Sequence, residues 1–466
     1  MRYYNSKYNF CLPAEEGIVL YNAAIGSTTL LTGVDHKQLS ELLCNEKLIF
    51  EGSFFDEPTL QGFIKNGFLV EEYRDELTEL REKYWIARSG TPLVLTITTT
   101  MDCNLGCYYC YESRTKHKLE FTEIPQIINR LENLLNESNK KSLHVDWYGG
   151  EPLLNPDFIE NASAALQEFC KIKGVSYHAS IISNGTVWPS DVGNFISRHK
   201  IRQVQISFDG LKENHNKKRR FRKEFMPAED NSFDIIVALI DKLLNYVQVD
   251  IRLNIDWKNK NEVDEFIEFI TKRKWFSKKY PAIFQPARIA SYTEKSSFLE
   301  ETQLSLIEFD QIRQNISQKL NGAAKVEESE VPDGFPFPKN YVCAALASDS
   351  FVVGADKLVY RCGLQVGETH RAVGSLDDQA KAAFSDKIWW DEFDPTTLSS
   401  CSKCSFLPVC LGGCPKKHLD KDQKALDEQS LYWRNNLADK VLTYTGYPGS
   451  KKYILSESDQ FRDGYF

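Results

Sequence analysis

The 466-residue chain has no run approaching the roughly 20 apolar residues that a membrane span needs, and its opening MRYYNSKYNF places no apolar stretch behind a basic start. A membrane partner and export are therefore not expected, and a cytoplasmic location is. A basic excess is missing too: 57 Lys and Arg face 65 Asp and Glu, a formal charge of −8, which argues against nucleic acid as a partner. Twelve cysteines are too few for a disulfide scaffold at this length, and a reducing compartment would keep them open, so ligands, nucleophiles or core thiols are expected. With 42% hydrophobic and 26% charged residues the chain is neither disordered nor collagen-like, and its length suggests about three domains.

What the chain does have is clustered cysteine. Three lie at 103, 107 and 110 and six at 343, 362, 401, 404, 410 and 414, while Cys11, Cys44 and Cys170 stand alone. Cys11 and Cys44 read as ordinary core thiols.

Residues 1–90 open with strand-like text, Gly17 to Tyr21 and Thr28 to Leu31, and turn helical at His36 to Leu43 and Leu60 to Ile64: a small α+β module. Residues 91–322 alternate apolar runs (Leu93 to Thr98, Leu143 to Trp147, His178 to Ile182, Gln203 to Phe208, Val247 to Ile255, Ala282 to Pro286) with amphipathic helices such as the one carrying Ile124, Ile127, Leu131 and Leu134. Six strand–helix units imply a parallel sheet, open or curled into a barrel. Residues 323–340 are acidic and proline-rich and read as a linker, opening a third region, 323–466, whose tail shows no clear period.

Cys103-Asn-Leu-Gly-Cys107-Tyr-Tyr-Cys110 directly follows the first strand of the alternating region, where loops at the C-terminal ends of parallel strands build active sites. Three thiolates on one loop can each take one iron of a cubane and leave the fourth open. Zinc fits less well, because no histidine lies within six residues and His117 is the nearest.

This loop, with an aromatic before its third cysteine, resembles the cluster loop of the radical S-adenosylmethionine (SAM) enzymes. The resemblance implies a partial (β/α)6 barrel, a [4Fe-4S] cluster on Cys103, Cys107 and Cys110, and SAM on the open iron, cleaved to a 5′-deoxyadenosyl radical that abstracts a substrate hydrogen. Tyr109 is then a cofactor contact. Trp147-Tyr148-Gly149-Gly150-Glu151-Pro152 resembles the family's Gly-Gly-Glu segment, in which the two glycines let the backbone approach a ligand and Glu151 accepts from the SAM ammonium. Ser183-Asn184-Gly185-Thr186 resembles its Thr-Asn-Gly-Thr, with serine in first place. Ser207-Phe208-Asp209-Gly210 with His215 resembles Ser-x-Asp-Gly…His, and Arg252-x-Asn254 matches Arg-x-Asn. Ser207, Arg252 and Asn254 are placed near SAM; Asp209 and His215 fit a strand-ending turn and a surface histidine equally well and receive no role. The run Lys217-Lys218-Arg219-Arg220-Phe221-Arg222-Lys223 reads as a solvated loop, with an acidic peptide as its first partner to test.

Cys401-x2-Cys404-x5-Cys410-x3-Cys414 could on spacing alone hold zinc. With Cys343 and Cys362 upstream, the pattern resembles the SPASM extension, which carries auxiliary iron–sulfur clusters in peptide-modifying radical SAM enzymes. Lys357 replaces that family's usual glycine, and the family's last cysteine has no counterpart. Two auxiliary [4Fe-4S] clusters are implied, Cys401, Cys404 and Cys410 in one and Cys343, Cys362 and Cys414 in the other, with Asp420, Asp422, Asp427 or His418 as candidates to complete the first. The N-terminal module is similar in size and order to winged-helix-like leader-recognition domains. The implied activity is modification of a ribosomal precursor peptide by hydrogen abstraction, giving a cross-link or a rearrangement, with a flavodoxin- or ferredoxin-type reductant. Anaerobic sulfatase maturation to formylglycine is the alternative activity, and a non-catalytic electron carrier or zinc scaffold the alternative of another class.

Overall fold

Six short strands begin the chain: β1 (Arg2–Asn5), β2 (Asn9–Ala14), β3 (Gly17–Asn22), β4 (Ser27–Leu31), β5 (Ile49–Glu51) and β6 (Leu69–Glu71). They form two antiparallel three-stranded sheets, ordered β5-β1-β6 and β2-β3-β4. Helices His36–Leu43 and Glu57–Lys65 supply Leu43, Leu60 and Phe63 to a core with Tyr3, Leu20, Leu31 and Phe68. In this computed structural model, described for residues 1–33, 36–45, 48–227, 231–320, 325–326, 334–377, 384–447, 449 and 451–461, the chain divides into two units. The first joins Met1–Gly90 with Pro332–Cys343 and Glu392–Phe466; the second holds Thr91–Val331 and Ala344–Asp391.

Three readings of the first unit need correction. Cys11 and Cys44 are not free core thiols but a disulfide tying β2 to the end of the first helix, their Cα atoms 6.4 Å apart; sequence spacing could not reveal that the fold brings them together. The described part of the expected linker, 334–340, is packed: Phe335 is buried and meets the Tyr21 ring edge-on at 5.5 Å. The tail contains a 23-residue helix, Gln423–Thr445, N-capped by Asp422 and closed by Gly446 in the left-handed region (φ 75°). Its buried face mixes Trp433, Leu437 and Val441 with Asn436 and Lys440, which blurs the apolar period.

In the second unit β7 (Leu93–Thr98), β8 (Ser142–Tyr148), β9 (Ser176–Ser183), β10 (Ile201–Phe208), β11 (Gln248–Ile255) and β12 (Ile283–Arg288) pair in parallel, each beside its sequence neighbour. This is a singly wound α/β order. β13 (Lys325–Val326) extends the sheet beyond β12, and at the other edge β14 (Phe351–Val353) pairs parallel with β7, followed by antiparallel β15 (Leu358–Tyr360) and β16 (Gly374–Ser375). Lys357, in the turn between β14 and β15, has φ 66°, a conformation that favours glycine; its ammonium pairs with the buried Glu123 at 2.9 Å. The C-terminal ends of β7 to β12 face one side of the sheet, and the loops leaving them carry the site.

Candidate active site

The loop after β7 has little regular structure, and its backbone is held from two directions. From one side the segment after β8 supplies Gly150 N, which donates to Thr100 O at 3.0 Å, and Glu151 N, which donates to Asp102 O at 2.9 Å. The glycines make this approach possible: a Cβ on Gly149 would stand 2.4 Å from Thr100 O, and one on Gly150 2.3 Å from Asp102 O. They bring backbone to backbone, so their smallness serves the cysteine loop.

From the other side comes the basic run, which is only partly solvated: Lys217, Arg220 and Lys223 are exposed, while Lys218, Arg219 and Phe221 are buried. Gly106 N donates to Arg220 O at 2.7 Å and Arg222 N to Asn104 O at 2.9 Å, with Leu105 and Phe221 bridged. Arg222 also donates to Cys103 O at 2.7 Å and pairs with Asp102. Lys218 is buried on Asp256 at 2.9 Å, and Arg219 is buried with its guanidinium donating to the Tyr109 hydroxyl at 2.9 Å. Three of the charges, on Lys218, Arg219 and Arg222, are spent on this strap, while Lys217, Arg220 and Lys223 stay at the surface.

The three thiols line one cavity of about 420 Å³, in the ordinary range for a ligand site, together with Tyr109, Gly149, Gly150, Ser183, Asn184, Ser207, Arg219, Arg252 and Asn254. Glu151 is fully buried and outside that lining; its carboxylate accepts from Asn184 N (2.7 Å), Ser183 Oγ (2.9 Å) and Leu153 N (3.1 Å). Burial holds its pKa up at about 7. Asn184 in turn donates to Asn104 Oδ1 at 2.7 Å and reaches Cys103 Sγ at 3.7 Å. Arg252 Nε donates to Asn254 Oδ1 at 3.2 Å.

Asp209 and His215 are both fully buried, so neither is a surface group. Asp209 accepts from the Tyr109 hydroxyl at 2.8 Å and from Asn254 at 2.9 Å, and its backbone N–H points to His215 Nδ1 at 3.4 Å. It thereby orients the tyrosine inside the cysteine loop. The sequence reading also missed Glu112, Tyr111 and Tyr148, which line the cavity, the two hydroxyls hydrogen-bonded to each other. No local pattern marks them.

The donor set suits an iron–sulfur cluster. Burial pushes Cys103 up to about 12 and Cys110 to about 11, so these thiols become thiolates only beside a strong positive charge such as bound iron.

Among the C-terminal cysteines, Cys401, Cys404 and Cys410 interact mutually in the first unit, which also holds Cys343 and Cys414; Cys362 follows β15 in the second unit. The expected completing groups are engaged elsewhere. His418 contacts Gly412 O at 2.7 Å, Asp420 pairs with Lys416, Asp422 caps the long helix and pairs with Lys417, and Asp427 accepts from Gln423.

Residues 97–270 match the Radical SAM superfamily. The cysteine-type anaerobic sulfatase-maturating enzyme of Clostridium perfringens is 24% identical over 368 residues, 72% of this chain and 92% of its own. The mycofactocin maturase MftC of Mycolicibacterium smegmatis is 22% identical over 337 residues, 69% and 78% of the two chains. Among solved structures, native anSMEcpe with bound AdoMet and Cp18Cys peptide has a TM-score of 0.54 at 19% identity, over 76% of this chain and 100% of that one, a similarity of fold. With its three-cysteine loop set at the mouth of a parallel α/β sheet, the chain carries a radical SAM domain over residues 97–270 and is an enzyme.

Proposed function

We propose that this enzyme is a SPASM-type maturase that modifies a ribosomal precursor peptide. The observation that carries the reading is the shared cavity: the three thiols open onto the same space as Ser183, Asn184, Ser207, Arg252 and Asn254, the residues expected to hold SAM. A [4Fe-4S] cluster on the thiols with SAM beside it would supply reductive cleavage and hydrogen abstraction. The protein's part is placement. Glu151 fixes the Ser183-Asn184 segment, Asp209 and Asn254 fix Tyr109, and Arg252 offers a cation for a carboxylate.

In this reading residues 1–90 recognise a leader peptide, 91–322 form the partial (β/α)6 barrel, and 323–466 form a SPASM region with two auxiliary [4Fe-4S] clusters drawing on Cys343, Cys362, Cys401, Cys404, Cys410 and Cys414. The enzyme is cytoplasmic and takes electrons from a flavodoxin or ferredoxin. Two relatives named as maturases, and a structural neighbour carrying a bound peptide, support a peptide substrate.

A second reading, formylglycine formation on a sulfatase, is favoured by the sulfatase-maturating relative. Incubation with SAM, reductant and either a co-encoded short peptide or a cysteine-bearing sulfatase peptide separates the two. Hydrogen loss from the short peptide without an aldehyde supports the first; an aldehyde trapped by hydrazide on the sulfatase peptide supports the second. Absence of 5′-deoxyadenosine with both peptides sinks both.

A further inference from the structure

Two buried donors without a hydrogen-bond partner, the Tyr8 hydroxyl and the Trp433 indole, accompany Cys401, Cys404 and Cys410 in the first unit, and the Gln460 amide reaches Cys404. The Tyr8 hydroxyl is buried without a hydrogen-bond partner, within electrostatic reach of Cys404, and the neighbouring Lys7 bonds to Ser402 O. The Trp433 indole N–H finds no oxygen or nitrogen and adjoins the Cys410 thiol. Gln460 points Nε2 at Cys404 Sγ at 3.9 Å, and it is set there by a backbone bond from Ser405 N to Gln460 O at 2.7 Å and by the bridge between Cys404 and Phe461. Two lysines fix the loop itself: Lys7 Nζ donates to Ser402 O and Lys339 Nζ to Cys410 O, each at 3.2 Å.

An unsatisfied buried donor costs about 1–3 kcal/mol, and two of them with these thiols call for an acceptor in their midst. Thiolates on any bound metal accept such bonds, and an iron–sulfur cluster adds bridging sulfides as further acceptors, which a single zinc ion does not. We infer that Tyr8, Trp433 and Gln460 donate hydrogen bonds to the sulfurs of a cluster held by Cys401, Cys404 and Cys410, and so raise its reduction potential. This rests on the auxiliary-cluster reading above. The physical reason is that reduction adds negative charge to the sulfurs, and donors aimed at them stabilise the reduced state more than the oxidised one.

The test uses full-length protein in which Cys103, Cys107 and Cys110 are alanine, reconstituted anaerobically, so that all bound iron is auxiliary. Tyr8→Phe, Trp433→Phe and Gln460→Leu are introduced singly and together, with iron content, electron paramagnetic resonance and midpoint potential as readouts. Each single change is expected to keep the iron and lower the midpoint, and the triple to lower it most. Unmoved midpoints with full iron overturn this inference alone; no iron in the parent overturns the auxiliary-cluster reading with it. If Trp433→Phe loses iron, Trp433→His, which keeps a ring N–H, must restore iron and midpoint, and failure to do so also overturns the inference.

Discussion

The Arg222 guanidinium donates to the carbonyl oxygen of Cys103 at 2.7 Å, so a residue 119 positions away holds the first cysteine of the cluster loop in place. Arg222→Leu removes this bond and the pairing with Asp102. Charge-assisted bonds contribute about 1.5–3 kcal/mol, and the loop should loosen by an amount toward the low end, because the side chain is partly exposed. A chelator should strip the radical SAM iron faster in the variant while auxiliary iron leaves at the parent rate. Equal stripping rates would show that the strap is dispensable.

Gly150→Ala places a methyl where Asp102 O now stands, 2.3 Å from the new Cβ. The cysteine loop has to move, and the variant should fail to take up the first cluster while keeping its far-ultraviolet circular dichroism. Normal iron uptake would contradict the clamp described here.

Replacing Cys103, Cys107 and Cys110 together with alanine should abolish SAM cleavage and lower bound iron by about four atoms, one cubane's worth. Undiminished 5′-deoxyadenosine would refute the assignment.

Glu151 gives a pH signature. Its pKa is about 7 in the folded chain against 4.5 for the free side chain. Between those values the folded state holds the proton more tightly than the unfolded one, so this group lowers stability as pH rises through the window. Glu151→Gln should flatten the slope of unfolding free energy by up to about 1.4 kcal/mol per pH unit, read from urea titrations of metal-free protein. It should also weaken SAM binding through the freed Ser183-Asn184 segment. Identical slopes in the two proteins would mean that Glu151 does not titrate in this range.

Much of the fold and the cavity was legible because the informative residues sit at the ends of buried strands. Leu93–Thr98 has the limits its apolar run suggested, and Ser183, Ser207 and Arg252 fall on β9, β10 and β11 at the cavity. The strap was not legible, since a run of six cations and one phenylalanine looks solvated until its distant partners are known. Lys218 finds Asp256 38 residues away and Arg222 finds Asp102 at 120. Glu151 was legible as a carboxylate at the site, while only the fold shows three internal donors around it.

The first unit is closed by segments distant in sequence, with Lys7 bonded to Ser402 O and Gln460 reaching Cys404 Sγ. During synthesis the strands of the parallel sheet leave the ribosome long before residue 460 does, so the sheet can fold, and its cysteine loop can form, while the other unit is still unfinished. On the proposed reading, cluster loading follows the order of synthesis: the Cys103 loop forms first, and the Cys401 site is complete only once Gln460 has emerged.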